Sequence, residues 1–297
     1  MRLPPLIGFD VDGTIAEADH RVSPAVAAVL RRLTPAGIAG VLVTGRTERA
    51  TLRLAADLGF TAPQISCNGA MVTRPGGERL WLKSMPPADA AYAVDTAVAA
   101  GTQPNVWTAD AWYVEEVSEF SELLTDLLGE APRVEPLAEV IAREAVVKVM
   151  IGATPARLDE VGLERVIPGM TRSMPVFLEA APAGATKQEA VTWLLGFLGI
   201  DPVQCWGCGD GGNDVGWLGL MGRVIAPASA RAEVKALATQ VVDGTTGVAA
   251  LVEEALALGD VPAGLNNVPE ALCTDGHSAG APPAVAENVP PRVPNRP

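Results

Sequence analysis

Short apolar runs, each closed by a polar or glycine-marked break, carry the chain's pattern, and their spacing switches between strand-like and helix-like. Residues 6–9 are an unbroken apolar run of strand type. Ser23-Pro24 reads as an N-cap and first helical position, opening a helix to about residue 34, with Gly37 closing it. A second apolar strand is predicted over 38–43. A helix over 47–58 follows, with Leu52, Ala55, Ala56 and Leu58 on its core-facing stripe and Gly59 as its stop. A third strand, over 64–67, ends in Asn68-Gly69. Strands and helices alternating through short links predict a parallel sheet.

From about residue 72 to 181 the pattern changes. Short strands are predicted over 71–73, 80–83, 105–108, 112–115, 146–151 and 176–179, interleaved with helices over 88–100, 118–128 and 155–165. The alternation in Trp112-Tyr113-Val114-Glu115 predicts antiparallel strands with one open face. The parallel pattern resumes with a helix from Thr186, its N-cap, to residue 198. A strand over 203–208, a short helix, a strand over 224–226, a helix over 229–238, a strand over 240–242 and a helix over 246–258 complete it. The expected fold is therefore α/β, a Rossmann-like parallel-sheet core domain (1–72 and 182–260) with an inserted α+β cap domain (73–181). Residues 261–297 hold eight of the 25 prolines and no apolar periodicity, which predicts a disordered tail.

Composition narrows the function. With 297 residues, 48% of them hydrophobic, the chain can bury a sizeable core. No apolar run approaches the ~20 residues that span a bilayer. The first strand starts too close to Met1 to leave room for a signal peptide, so a cytoplasmic protein is expected. A net charge of −13 argues against nucleic acid or an anionic membrane as partner, and an anionic substrate must then be met by local cations. Cys205-Trp206-Gly207-Cys208 has no second pair or nearby histidine to complete a zinc site, and reads as buried strand cysteines. His20 and His277, the only histidines, are expected at the surface. Trp107 and Trp112 are candidates to line the substrate side of the cap, with plain packing as the alternative.

The candidate chemistry lies at the C-terminal ends of the predicted parallel strands, where open α/β sheets bind ligands. Asp10 and Asp12 stand two apart and emerge on one side of an extended chain, and Gly13 lets the backbone bend. Side-by-side carboxylates repel, and a divalent cation relieves them. An acidic strand-end turn is the plainer alternative, since Asp-Gly is a common turn signal. Thr44-Gly45-Arg46, Asn68-Gly69 and the run from Asp210 to Asp214 close further strands, and Lys187 begins the helix before the last. Alone, Thr44-Gly45-Arg46 is a turn and Lys187 a solvated lysine, although a helix N-terminus disfavours positive charge. Residues 207–212 also satisfy the Gly-x-Gly-x-x-Gly dinucleotide pattern, but Asp210 and Asp214 would face the pyrophosphate unneutralised.

Taken together, Asp-x-Asp-Gly-Thr at 10–14, Thr44-Gly45-Arg46, Ala185-Thr186-Lys187-Gln188 and Gly209-Asp210-Gly211-Gly212-Asn213-Asp214 resemble the haloacid dehalogenase superfamily of aspartate-nucleophile phosphatases. The insert and the Ser66-Cys67-Asn68-Gly69-Ala70 segment resemble its subclass IIB, the Cof-like phosphatases. The likeness covers roughly residues 5–258. It implies an Mg²⁺-dependent phosphomonoesterase acting on a small phosphorylated metabolite, a sugar phosphate or similar, through an aspartyl-phosphate. On matching positions it implies Asp10 as nucleophile, and Asp12 as acid and then base, with a pKa raised by the neighbouring carboxylate. Mg²⁺ would sit between Asp10, the backbone carbonyl of Asp12, and Asp210. Asn213 and Asp214 would hold metal-bound water or orient Lys187. Thr44 and Lys187 would bind phosphoryl oxygens, with Gly45, Arg46 and Asn68 as further substrate or phosphate contacts. Pro227-Ala228 departs from the family's usual asparagine-alanine pair. A phosphomutase using the same aspartyl-phosphate and a catalytically silent metabolite-binding module are the alternatives. A monomer or homodimer is expected.

Overall fold

In chain order the elements open with β1 (Leu6–Phe9), α1 (Pro24–Leu30), β2 (Ala39–Leu42), α2 (Glu48–Asp57), β3 (Gln64–Ser66), β4 (Met71–Thr73) and β5 (Arg79–Leu82). Next come α3 (Pro87–Ala99), β6 (Gln103–Thr108), β7 (Trp112–Val114), α4 (Glu119–Leu128), β8 (Arg133–Val134), α5 (Leu137–Arg143), β9 (Val146–Gly152), α6 (Pro155–Val161), β10 (Met170–Met174) and β11 (Phe177–Ala180). The chain continues through α7 (Lys187–Leu198), β12 (Trp206–Cys208), α8 (Val215–Leu218), β13 (Arg223–Pro227), α9 (Ala232–Leu237), β14 (Gln240–Val242) and α10 (Gly244–Leu258). This computed structural model describes residues 3–258, so the tail expected over 261–297 lies outside the described residues. Among the described residues, no helix is long and apolar enough to cross a membrane.

The core sheet has the order β14-β13-β12-β1-β2, every pair parallel. All four β1 residues are buried, because helices cover both faces of the sheet. Ile7 and Phe9 point to one layer with Leu30, Val248 and Val252, while Leu6, Val41 and Val43 point to the other with Leu194, Trp217 and Leu218. Phe9 registers with Cys208 on the adjacent strand, and Asp10 N donates to Cys208 O at 2.8 Å. Parallel pairing therefore delivers the two acidic strand ends, 200 positions apart in sequence, to one edge.

The third parallel strand needs correction. β3 pairs antiparallel with β4, and β4 with β5, in a separate three-stranded sheet. Its link to the core sheet is one parallel bridge, Val43 to Ile65. Gln64 explains the break: its Oε1 accepts from Leu42 N at 2.7 Å and its Nε2 donates to Gly40 O at 3.1 Å. A side chain thus occupies β2 groups that a backbone ladder would use. β4 spans the expected junction between residues 72 and 73. Val72 packs with the core layer under α7, whereas Met71 packs with Trp107 and Phe177.

The inserted sheet has the order β10-β11-β9-β6-β7-β8 and is antiparallel except where β7 meets β8. Its α3 and α5 face carries Val106, Tyr113, Val149 and Leu178. The other face, expected to be open, is covered: Trp107, Trp112, Met150 and Phe177 pack against Leu124 of α4 and against Cys67, Ala70 and Ala185. The strand β10 escaped the sequence reading because its middle residues are exposed and polar, leaving no apolar run to detect. The strand β8 is two residues long, and α5 is a seven-residue helix.

The turn after β3 locks the core to α7. Cys67, Asn68 and Gly69 take successive positive φ angles of 49°, 55° and 96°. A Cβ on Gly69 would lie 2.2 Å from Thr186 O and 2.8 Å from Lys187 N, both rigid backbone atoms. Gly69→Ala is expected to destabilise the protein by about 2–4 kcal/mol, from strain and overpacking together. A urea titration that leaves the midpoint unmoved would refute this.

Candidate active site

Asp10 follows β1 directly and is buried, 6% exposed. Facing it is Lys187, the first residue of α7, whose Nζ donates to Asp10 Oδ1 at 2.6 Å and to Asp214 Oδ1 at 2.7 Å. Thr186 caps the helix by accepting from Glu189 N at 3.1 Å. A lysine at the positive end of a helix is held there by two carboxylates. Burial alone would lower the Lys187 pKa, but Asp10 and Asp214 outweigh it, so the ammonium keeps its proton. Burial pushes the Asp10 carboxyl up to about 7, with Lys187 pulling it down and the charges of Asp214 and Asp210 adding to the rise.

Asp214 is fully committed. Its Oδ1 accepts from Lys187 and from Trp217 Nε1 at 2.9 Å, and its Oδ2 accepts from Asp210 N at 3.1 Å and Gly211 N at 2.9 Å. Those two backbone N–H groups are ones a dinucleotide phosphate would need, so the Gly-x-Gly-x-x-Gly pattern has its donors engaged internally. Asp210 is different: its Oδ1 accepts from Thr14 Oγ1 at 3.3 Å. Burial and the Asp214 charge raise its pKa. The approach is close enough that a Cβ on Gly13 would stand 2.5 Å from Asp210 Oδ2.

Asp10, Asp210 and Asp214 each bring a carboxylate oxygen within 4.8 Å of the others. Buried carboxylates crowded this closely repel each other, and are fitting ligands for a hard divalent cation, which would relieve that repulsion. Asp10 and Asp210 meet that description. Asp214, with four donors already on its two oxygens, is placed to orient Lys187 instead.

Asp12 does not stand beside Asp10 as a repelling partner. Arg46 grips it with a two-pronged fork, Nε to Oδ2 at 3.0 Å and Nη2 to Oδ1 at 2.7 Å, and His20 Nδ1 lies 2.9 Å from Oδ1. Arg46 Nη2 also donates to His20 O at 2.8 Å. Burial would raise the Asp12 pKa, but the guanidinium and His20 outweigh it and hold the carboxyl below its usual range. The expected upward shift is thus reversed, because the dominant neighbour is a cation rather than the other carboxylate. In Arg46→Gln the Asp12 carboxyl is expected to titrate at higher pH than in the wild type, read by carboxyl-carbon NMR. An unchanged titration would show that the fork does not set the charge.

A third group is tied to the first two through Thr44 and Gly45. The buried Thr44 accepts from Arg46 N at its Oγ1, 3.2 Å away, and from Asn68 N at its carbonyl, 3.0 Å away. Gly45 packs so close to Asn68 that a Cβ there would lie 2.9 Å from Asn68 Oδ1. Asn68 Oδ1 accepts from Asn213 Nδ2 at 3.2 Å, and Asn68 Nδ2 donates to Glu179 Oε1 at 3.1 Å. The structure therefore assembles Asp10, Lys187, Asp210 and Asp214 into one cluster, Asp12 and Arg46 into a second, and Asn68 and Asn213 into a third. Sequence reasoning missed His20 and Glu179. His20 is exposed as expected, yet it touches Asp12. Glu179 reaches Asn68 from the inserted sheet, across a sequence gap that no motif spans.

A parallel sheet whose strand-end edge gathers a buried lysine and a carboxylate cluster, under an inserted α+β unit, defines a class of α/β proteins with a doubly covered parallel core. A family model described as haloacid dehalogenase-like hydrolase matches residues 7–252, and the chain belongs to that family. An HMP-PP phosphatase from Serratia proteamaculans (strain 568) is 26% identical over 251 residues, covering 79% of this chain and 88% of that relative. A crystal structure of a haloacid dehalogenase-like hydrolase from Bacteroides thetaiotaomicron matches with a TM-score of 0.77 at 24% identity, over 84% of this chain and 98% of the other. A subclass IIB sugar phosphatase of the same superfamily gives a TM-score of 0.69 at 22% identity, over 84% and 98%. At these identities the solved structures speak to the fold.

Proposed function

We propose that this protein is an Mg²⁺-dependent phosphomonoesterase that hydrolyses small phosphorylated metabolites through an aspartyl-phosphate on Asp10. The observation that carries the reading is the buried Asp10 carboxyl held by Lys187 opposite Asp210. Lys187 fixes Oδ1 and leaves the other oxygen for attack on phosphorus. The new bond from Asp10 to phosphorus forms as the bond from phosphorus to the alcohol oxygen breaks, and Asp12 gives that oxygen its proton. Water then attacks phosphorus, Asp12 takes its proton, and the bond to Asp10 breaks to release inorganic phosphate. To act as an acid Asp12 must leave the Arg46 fork and take up a proton from solvent, so the fork belongs to the protein before substrate engages. A phosphoryl dianion is a competing partner for the Arg46 guanidinium and supports that release.

Lys187 and Thr44 offer cationic and hydroxyl contacts to the phosphoryl oxygens, with Gly45, Arg46 and Asn68 alongside. Mg²⁺, held by Asp10, Asp210 and the backbone carbonyl of Asp12, would supply charge neutralisation of the phosphoryl group. Residues 73–181 act as a cap that excludes water and contacts the leaving group. A cytoplasmic location and a monomeric or homodimeric state belong to the same proposal. Cys67, Cys205 and Cys208, all free and buried, fit a reducing compartment. The test is phosphate release from a panel of phosphorylated metabolites with Mg²⁺ present. Absence of release across the panel would overturn the proposal.

A further inference from the structure

A cleft of about 320 Å³ runs between α2 of the core and two segments of the insert, the β6–β7 turn at Asp110 and Ala111 and the link from α4 to β8. None of Asp10, Asp12, Asp210 or Lys187 lines it, so it stands apart from the carboxylate cluster. Three arginines do line it: Arg49 and Arg53 from α2, and Arg133 from the first position of β8. Residues four apart are neighbours on one helix face, so Arg49 and Arg53 stand side by side. A chain of net charge −13 thus gathers cations in one concave place.

Two carboxylates share the cleft, and each is already engaged. Glu130 Oε1 takes Arg49 Nη1 at 3.4 Å, and Asp110 Oδ1 takes Arg79 Nη2 at 2.5 Å. Arg133 donates from Nη1 to the Tyr113 hydroxyl at 3.1 Å and lies 5.7 Å from the centroid of that ring, contacts that bring no counter-charge. Among the described residues neither Arg53 nor Arg133 has an ion-pair partner. The helix α4 ends at this cleft, but a helix C-terminus carries only about half a negative charge, too little for two guanidiniums. Ala50, Ala111 and Leu128 add apolar wall beside them.

We infer that this cleft is a second binding site, separate from the proposed chemistry, for a phosphorylated ligand whose phosphoryl group lies between Arg53 and Arg133. Planar guanidinium forks match phosphoryl oxygens with paired, charge-assisted hydrogen bonds. A phosphoryl dianion neutralises both arginines, which the carboxylates of the cleft do not. The volume is at the small end of ligand sites and suits a phosphomonoester up to about mononucleotide size, its organic body against Ala50, Ala111 and Leu128. Free phosphate presents the same group without the body. Either occupant touches α2 and the insert at once.

The experiment is isothermal titration calorimetry of the full chain at low salt, in a chelator that prevents metal-dependent turnover, with inorganic phosphate and adenosine monophosphate as probes. The wild type is expected to bind at least one probe saturably. Arg53→Gln and Arg133→Gln are each expected to raise Kd about tenfold or more, the scale of a hydrogen bond to a charged group. Both side chains are exposed, so neither variant removes core packing. Arg165→Gln removes the same charge from an exposed position outside the cleft and is expected to leave Kd unchanged. Tighter binding of adenosine monophosphate identifies an organic phosphate as the ligand, and equal or tighter binding of phosphate identifies the free anion; both support the site. Binding undiminished in both cleft variants places the anion at Lys187 instead and overturns the inference. An equal loss in Arg165→Gln, or no binding of either probe, overturns it too, and each of these results leaves the phosphatase reading standing.

Discussion

Asp10→Asn should release phosphate at least ~10⁴-fold more slowly than the wild type, the scale of loss when an enzyme's nucleophile is removed. The amide keeps the size of the carboxyl but cannot form the acyl-phosphate. A merely structural carboxylate would show a different profile, because its loss would lower stability as well as rate. Here stability is expected to hold or rise in metal-free protein, since the substitution removes one negative charge from a buried cluster and leaves Lys187 bonded to Asp214. The pH dependence gives a second readout. The folded-state pKa of Asp10 is raised from 3.8 to about 7, so between those values the folded protein binds a proton that the unfolded chain has released. The contribution of this group to stability therefore declines as pH rises from about 4 to about 7 and levels off above that. The Asp10→Asn variant should lack that decline, and melting curves taken in a chelator across the interval would show it. Mg²⁺ should oppose the same decline in the wild type. Full activity in Asp10→Asn would assign the nucleophile elsewhere.

Lys187→Met should be the most destabilising of these substitutions. It leaves Asp10 and Asp214 buried without their cation, and removing one partner of a buried ion pair costs ~3–5 kcal/mol. The side chain is 2% exposed, so water cannot take over its role. Chemical denaturation at neutral pH measures the loss. Lower pH should restore part of it by protonating the stranded carboxylates, as should a second substitution, Asp214→Asn. Catalysis is expected to fall by at least ~10²-fold, because the cation proposed to face the phosphoryl oxygens goes with it. If Lys187→Met unfolds at the wild-type denaturant concentration, the ammonium is not the counter-ion that the 2.6 Å and 2.7 Å contacts indicate.

The parallel core was legible because its strands are short apolar runs that end in chemistry. Asp10, Thr44 and Asp210 each announced a strand end, and the register of β1 on β12 brings the first and last together. β3 misled because three residues, Gln64, Ile65 and Ser66, do not reveal which neighbour they pair with, and Gln64 settles that through its side chain. The charge state of Asp12 was equally hidden. It depends on Arg46, which the sequence offered as a phosphate contact, turning back onto its own chain. Glu179 carries no motif at all: it reaches Asn68 from the inserted sheet, a contact held in the fold rather than in sequence spacing.

The adjacency of β1 to both β2 and β12 also sets an order of events at the ribosome. β2 emerges soon after β1, but β12 is still some 160 residues from synthesis, roughly 8–33 s at ordinary translation rates. Through that interval one edge of β1 has no strand to pair with, and Asp10 meets neither Lys187 nor Asp210. The inserted six-stranded sheet, by contrast, draws all its strands from one continuous stretch and can close first. Asp10 is thus made 200 residues before Asp210, and its surroundings are completed only when the later strands arrive.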